Sequence, residues 1–436
     1  MTESVAIRYG KNERRVRLPI GCKPTMIRKP AMPQIQDFPS AIRESFRTAV
    51  GCPPLEQLAR SSDRVCIVIC DVTRPVPNGP ILSCLVHRLM DVGVPTVNIT
   101  ILIATGLHRP NLGHEMLEVV GDEWVWNNIR VENHYARDPS SMVHLGTTAT
   151  DKIPVFLNRH LVESDLRIVV GLVEPHFMAG YSGGRKVIAP GVAGEMTIRT
   201  FHNYRFMANP NSSNTNLENN PLHRGQLEIL DMLGSAHAVN VVIDEARNVS
   251  FVNFGTCCES HLECVEFVRR FAEVPIDRKF KALLTSAAGY PLDKTYYQTI
   301  KGMVAPTQIL ETGGRLVIAS ECTEGLGSAE FRHAQTQLKL LGQEGFLERI
   351  QHMPLADPDA WQTQMLLRTL AVGNISLFSE GLSGADRELT CVSMIDNIER
   401  ELEEILSDSG DNELAVIPEG PYVIPVYRPL QNRDAA

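Results

Sequence analysis

The run EPHFMAGYSGGRKVIAPGVAGEMTIRTFHN, residues 174–203, is the most informative stretch of the chain. It holds His176 and His202, the cationic pair Arg185 and Lys186, and glycines at 180, 183, 184, 191 and 194. Glycine-rich backbone of this kind leaves amides accessible and can cradle a phosphate or another anion. A lysine set among glycines and apolar residues can have its amine pKa lowered by burial, which suits covalent attachment to a cofactor. The run is neither a Walker loop nor a G-x-G-x-x-G fingerprint, because no Ser or Thr follows Lys186 and the glycines are spaced differently. The histidine spacing fits neither H-E-x-x-H nor a zinc finger, which disfavours an ordinary zinc protease. A merely structural glycine turn is the plainer alternative.

Three further segments carry polar chemistry. DVTRPVPN places Asp71 and Arg74 just past an apolar run. Buried unpaired, such charges would cost free energy, so they either pair with each other or meet a ligand. ATGLHRPN brings His108 out of a tight Gly106 turn, and histidine exchanges protons near neutral pH, although a lone loop histidine is often only a surface residue. YYQTIKGM sets Gln298 and Lys301 three apart, on one helix face, beside Tyr297. They read either as a grip on a substrate carboxylate or as a solvated helix start.

The elements that must position these residues alternate along the chain. SVAIRYG and RRVRLPI are short strand-like pieces, and residues 39–59 look helical. Val65–Cys70 is an apolar strand, followed by the helix-like PILSCLVHRLMDVG and the strand Val97–Ile103. That order is a βαβ unit, the signature of a parallel sheet covered by helices. Arg167–Val173 adds another buried strand. A second series runs from Lys281–Ser286 through the Tyr297 helix, Arg315–Ser320, a helix around Phe331–Leu341, Asn374–Ser379 and a last helix to LAVIP. The expected fold class is α/β, with two α/β domains built on mainly parallel sheets. The domains are expected at 1–270 and 271–436, with the closing GPYVIPVYRPL open to packing back on the first. In both, the unusual residues follow strand C-terminal ends, where open parallel sheets bind ligands.

Composition sets the outer limits. The 436 residues are 43% hydrophobic and 21% charged, ordinary for a globular enzyme. Lys and Arg number 42 against 51 Asp and Glu, a net charge of −9 that argues against a dedicated nucleic-acid binder. No apolar run reaches the roughly 18 residues of a membrane span, and Met1 to Lys11 lacks the apolar core of a secretory signal. A cytoplasmic protein without nucleic-acid or membrane partners is expected. The ten cysteines form no C-x-x-C pair and read as reduced structural thiols, with Cys322 in SECTEG as a candidate pocket residue.

Taken in order, DVTRP, TGLH, EPHFMAGYSGGRK…IAPGVAG…FHN and YYQTIK resemble the nickel-dependent lactate racemase family, from near Arg64 into the C-terminal domain. The resemblance implies two α/β domains with the active site in the interdomain cleft. It also implies a nickel-pincer nucleotide, a nicotinate-derived mononucleotide of the pyridinium bisthiocarboxylic acid type. In that family nickel is held by two sulfurs, a pyridinium carbon and one histidine. Carried over, the covalent lysine falls on Lys186 and the nickel ligand on His202, while His108 and His176 become opposed acid/bases. Arg74, Gln298 and Lys301 fall where the substrate carboxylate is held, with Tyr297 beside them; Asp71, Gly183, Gly184 and Trp361 fall on the cofactor side.

These assignments suit the chemistry of a 2-hydroxy acid. Its α C–H bond is unactivated and an α-hydroxy carboxylate stabilises a carbanion poorly, so deprotonation is unfavourable. Hydride removal coupled to loss of the hydroxyl proton instead gives a planar keto acid, and one histidine per face can take or return that proton. Imidazole and soft sulfur donors suit nickel, and the cofactor carries the hard chemistry. The expected function is a racemase or epimerase of lactate or a related 2-hydroxy acid, supplied with cofactor by its biosynthetic enzymes. The alternative is a non-catalytic nucleotide- or organic-acid-binding protein of the same fold. A metal hydrolase would need an Asp/Glu/His cluster that the sequence does not show.

Overall fold

A computed structural model describes residues 3–429. By its contacts the chain forms two compact units. One comprises residues 31–201 and 211–270; the other comprises 1–30, 202–210 and 271–436. The chain crosses between the units at 30/31, 201/202, 210/211 and 270/271, so the division is not a single cut.

The 31–270 unit is built on a six-stranded sheet in the order Val249–Thr256, His237–Ile243, Leu166–Leu172, Val65–Cys70, Ile99–Ala104 and Arg130–Asn133. All neighbours are parallel except the first pair. Val65–Cys70 is apolar on both faces because helices cover both, and its first five residues are buried. From this strand the chain winds first to Ile99–Ala104 on one side and later to Leu166–Leu172 on the other. The reversal comes at these three strands, whose C-terminal ends are the ligand position of doubly wound sheets.

The second unit has its own six-stranded sheet, ordered Ser393–Ile395, Asn374–Phe378, Leu310–Ala319, Phe280–Ser286, Glu413–Ile417 and Lys23–Met26, all parallel. The edge strand Lys23–Met26 comes from the N-terminus, which is why residues 1–30 join this unit. The hairpin of Ser4–Tyr9 and Asn12–Arg17 packs into the same core through Val5, Ile7 and Val16. The closing stretch also stays here: Ile424–Tyr427 pairs with Glu273–Ile276, so it does not return to the other unit.

Local sequence explains the remaining departures. The helix expected over 39–59 is two, Phe38–Arg47 and Leu55–Leu58, broken where Gly51 takes a left-handed φ of 69° before Cys52-Pro53-Pro54. The helix Ala329–Gln351 kinks at Gly342, φ 70°. Among the described residues no helix is long and apolar enough to cross a membrane.

Candidate active site

In the 31–270 unit the C-terminal edge of the sheet carries the predicted loops side by side. Val65–Cys70 ends in Asp71, which is buried. Asp71 Oδ2 lies 2.7 Å from His108 Nδ1, and its Oδ1 accepts from Thr73 Oγ1 at 2.6 Å and Thr73 N at 3.2 Å. Burial pushes the Asp71 carboxyl up, but the His108 and Thr73 hydrogen bonds and the Arg74 charge outweigh it and hold it below the usual carboxylate range. The His108 ring itself remains largely exposed. Its turn is pinned from below: Thr105 Oγ1 donates to the His134 carbonyl at 2.6 Å, and Gly106 N donates to the Gly191 carbonyl at 2.9 Å. Gly106 needs its positive φ of 53° to make that contact.

Arg74 does not pair with Asp71. Its Nη1 meets Glu174 Oε1 at 2.5 Å instead, across from the end of the neighbouring strand. Glu174 is the ion-pair partner of Arg74 that sequence reasoning missed. It stands one hundred residues away, and only the parallel pairing of Val65–Cys70 with Leu166–Leu172 makes the two adjacent. Past Glu174, Pro175–His176 and Gly180–Tyr181 form a miniature hairpin. Its loop folds back so that Met178 N and Ala179 N donate to His176 Nδ1 at 3.3 and 3.2 Å.

The glycine run then turns into the single helical turn Arg185–Ile188, which carries the half-buried Lys186. Its glycines serve packing more than ligand access. Gly184 N is already taken by Asn240 Oδ1 at 2.9 Å, and a side chain on Gly183 would strike Val173 at 2.5 Å. Arg185, expected to add charge beside Lys186, is buried inward with 1% exposure. Its Nη1 lies 3.2 Å from His261 Nδ1, while His261 Nε2 donates to the Ser182 carbonyl at 2.8 Å. No carboxylate pairs with Arg185 among the described residues, and burial lowers its pKa to about 10.

The remaining predicted residues gather in the other unit. His202 follows the helix Glu195–Phe201, and its ring lies 4.6 Å from that of Trp361. Trp361 Nε1 donates to Tyr297 Oη at 3.4 Å. The helix Tyr296–Val304 follows the central strand Phe280–Ser286 and is capped by Thr295, whose hydroxyl accepts from Gln298 N at 3.3 Å. Gln362, buried on the helix Ala360–Leu370, donates to the Tyr297 carbonyl at 2.5 Å and so holds the first turn. No spacing signal pointed to it. Gln298 Oε1 is buried without a hydrogen-bond partner, and Lys301 is half-buried one turn further on. Cys322 is no pocket residue: it is fully buried at φ 55°, with its thiol 3.2 Å from Ser320 Oγ, and burial raises its pKa. All ten cysteines are free thiols.

The structure thus assembles two clusters. Asp71, Arg74, His108, His176 and Lys186 lie in one unit; His202, Tyr297, Gln298, Lys301 and Trp361 lie in the other.

The chain is similar to known proteins along most of its length. Residues 9–215 match the lactate racemase N-terminal domain and residues 277–425 the lactate racemase C-terminal domain. Lactate racemase of Lactiplantibacillus plantarum is 31% identical over 394 residues, 88% of this chain and 90% of that protein. Lactate racemase of Thermoanaerobacterium thermosaccharolyticum is 32% identical over 396 residues, 88% and 89% of the two chains. The structure of the latter's apoprotein superposes with a TM-score of 0.88 at 29% identity, covering 97% of this chain and all of that one. A Thermotoga maritima protein with a TM-score of 0.66 and 17% identity, covering 89% and 98%, shares the fold.

Proposed function

The chain belongs to the lactate racemase family and is an isomerase of that type, and we propose that it inverts the α carbon of lactate or a related 2-hydroxy acid on a nickel-pincer nucleotide tethered to Lys186. The observation that carries the acid/base reading is His108 Nδ1 set 2.7 Å from the buried Asp71 carboxylate. That contact orients the ring and stabilises the imidazolium formed when Nε2 takes a proton.

Family membership implies nickel, and the donor chemistry fits it. His202 offers an imidazole of the kind nickel accepts, beside the Trp361 ring. Among the described residues no group of three His, Cys, Asp or Glu side chains could hold a metal, so the other donors would come from the cofactor's sulfurs and ring carbon. When bound, the cofactor supplies a hydride acceptor. Lys186 would anchor it covalently, and His202 would supply an imidazole donor to the metal. Arg74 and Lys301 would bind the substrate carboxylate by charge, with the Gln298 side-chain N–H donating to the same group. Asp71 positions His108, Tyr297 and Trp361 shape the ring-binding side, and Gly183 and Gly184 fix the Lys186 turn against the sheet. His108 and His176 would hold and move the hydroxyl proton. Cofactor-biosynthesis enzymes are the partners this reading requires.

The test is an assay of cofactor-loaded enzyme on single enantiomers of lactate and other 2-hydroxy acids, read by optical purity. Decay of either lactate enantiomer to an equal mixture is expected. If no acid loses optical purity, the protein is a binder of nucleotide or organic acid instead. Intact mass should also show a cofactor adduct that disappears in Lys186→Ala.

A further inference from the structure

His108 and His176 each have Nδ1 hydrogen-bonded to a group that can play only one role, and the roles are opposite. An ionised carboxylate only accepts, so with Asp71 Oδ2 at 2.7 Å the Nδ1 of His108 carries a proton. The neutral ring then presents a lone pair at Nε2. A main-chain N–H only donates, so with Met178 N at 3.3 Å and Ala179 N at 3.2 Å the Nδ1 of His176 is the acceptor. Neutral His176 therefore carries its proton on Nε2.

We propose that these unlike partners lock the two imidazoles in opposite tautomers, so that His108 meets the substrate as a proton acceptor and His176 meets it as an N–H donor. The inference rests on the acid/base reading of these two residues and divides the labour between them. The hydroxyl proton passes to His108 Nε2: the O–H bond breaks, an N–H bond forms, and the electron pair stays on the substrate oxygen. His176 Nε2–H hydrogen-bonds to an oxygen without changing its own bonds. For His176 to serve as base on the other face, its Nδ1 must let go of both amides. The hairpin Pro175–Tyr181, through the Met178 and Ala179 amides, is thus a positioning element that sets which histidine is ready to receive a proton.

Because the enantiomers of lactate are equal in energy, kcat/KM must be the same for both, whatever the tautomers. The lock is therefore read directly. Long-range proton–nitrogen correlation spectra of the imidazoles are recorded on full-length, cofactor-free, nitrogen-labelled protein at about pH 8.5, where a free imidazole is neutral. His108→Gln and His176→Gln each delete one ring's signals and so assign them. Where a variant does not fold, correlation from the β-carbon assigns the ring instead. The expected spectra show His108 with its proton on Nδ1 and His176 with its proton on Nε2. Finding the same tautomer in both rings, or the reverse assignment, overturns the proposal. The measurement involves no turnover, so it is independent of whether any acid is racemised.

Discussion

Asp71 shows how much of the site depends on one buried carboxylate. Its oxygens are divided between His108 and Thr73, and its pKa lies below that of an ordinary aspartate. The folded value is below the unfolded one, near 3.9, so the carboxylate contributes stability above that pH and the contribution is lost as pH falls through the folded value. Asp71→Asn keeps the size but removes the charge that stabilises protonated His108. Loss of racemisation on the order of 100-fold or more is expected, with the mass of the Lys186 adduct unchanged. Full activity in Asp71→Asn would remove His108 from the acid/base role. Arg74 makes a different demand, because one nitrogen already serves Glu174 at 2.5 Å. A lysine there lacks the planar fork to hold Glu174 and a second carboxylate together. Arg74→Lys should raise KM about tenfold or more while lowering kcat far less. An unchanged KM would place the substrate carboxylate elsewhere.

At the scale of elements, the loops that follow strand ends were legible in the sequence because each follows a short, largely apolar run. Val65–Cys70 announces Asp71, and Phe280–Ser286 announces the Tyr297 helix. What holds those loops was not legible. Asn240 Oδ1 caps Gly184, Gln362 holds Tyr297, and Glu174 meets Arg74, each across fifty or more residues of sequence with no periodic signal. The glycines carried a real signal that was misread in part: they look like a ligand cradle but answer to close packing. Gly171, inside the strand Leu166–Leu172, shows the same constraint from the other side. A β-carbon there would stand 2.7 Å from Gly184 N and 2.9 Å from Gly183 Cα, both backbone atoms. Gly171→Ala must push the glycine turn away from the sheet, at about 1–3 kcal/mol. Its melting temperature should fall, and Lys186 should acquire less cofactor under conditions that saturate the wild type. Wild-type loading in a stably folded Gly171→Ala would show that the turn's seat on the strand does not govern the lysine.

At the scale of the whole molecule, the net charge of −9 is spread over 42 cationic and 51 acidic side chains and says little about any one site. The division into units says more: the boundary at 270/271 falls in the last turn of the helix Glu259–Ala272, just before the strand Glu273–Ile276, whereas the edge strand Lys23–Met26 joins a sheet whose other strands begin after residue 279. The 31–270 unit has a property of its own. It buries histidines that are held neutral. Burial lowers His134 to about 4, burial with the Arg185 charge lowers His223 to about 3, and His261 and His237 are also lowered, chiefly by burial. An unfolded histidine titrates near 6.5, so between that pH and the folded values the unfolded chain binds more protons. Stability of this unit must therefore fall as pH drops below about 6.5, and His134 alone accounts for roughly 3 kcal/mol once pH lies below both of its values. Hydrogen exchange by mass spectrometry at about pH 7.5 and about pH 5, corrected for the intrinsic exchange rate, resolves the units separately. Protection in Leu166–Leu172 and Arg185–Ile188 should decline further than in Phe280–Ser286 and Leu310–Ala319. Equal declines in both sheets would mean that the buried histidines do not set the acid limit of this fold. A decline confined to the first would place that limit in the unit that carries Lys186, so that acid would loosen the turn Arg185–Ile188 before the rest of the chain unfolds.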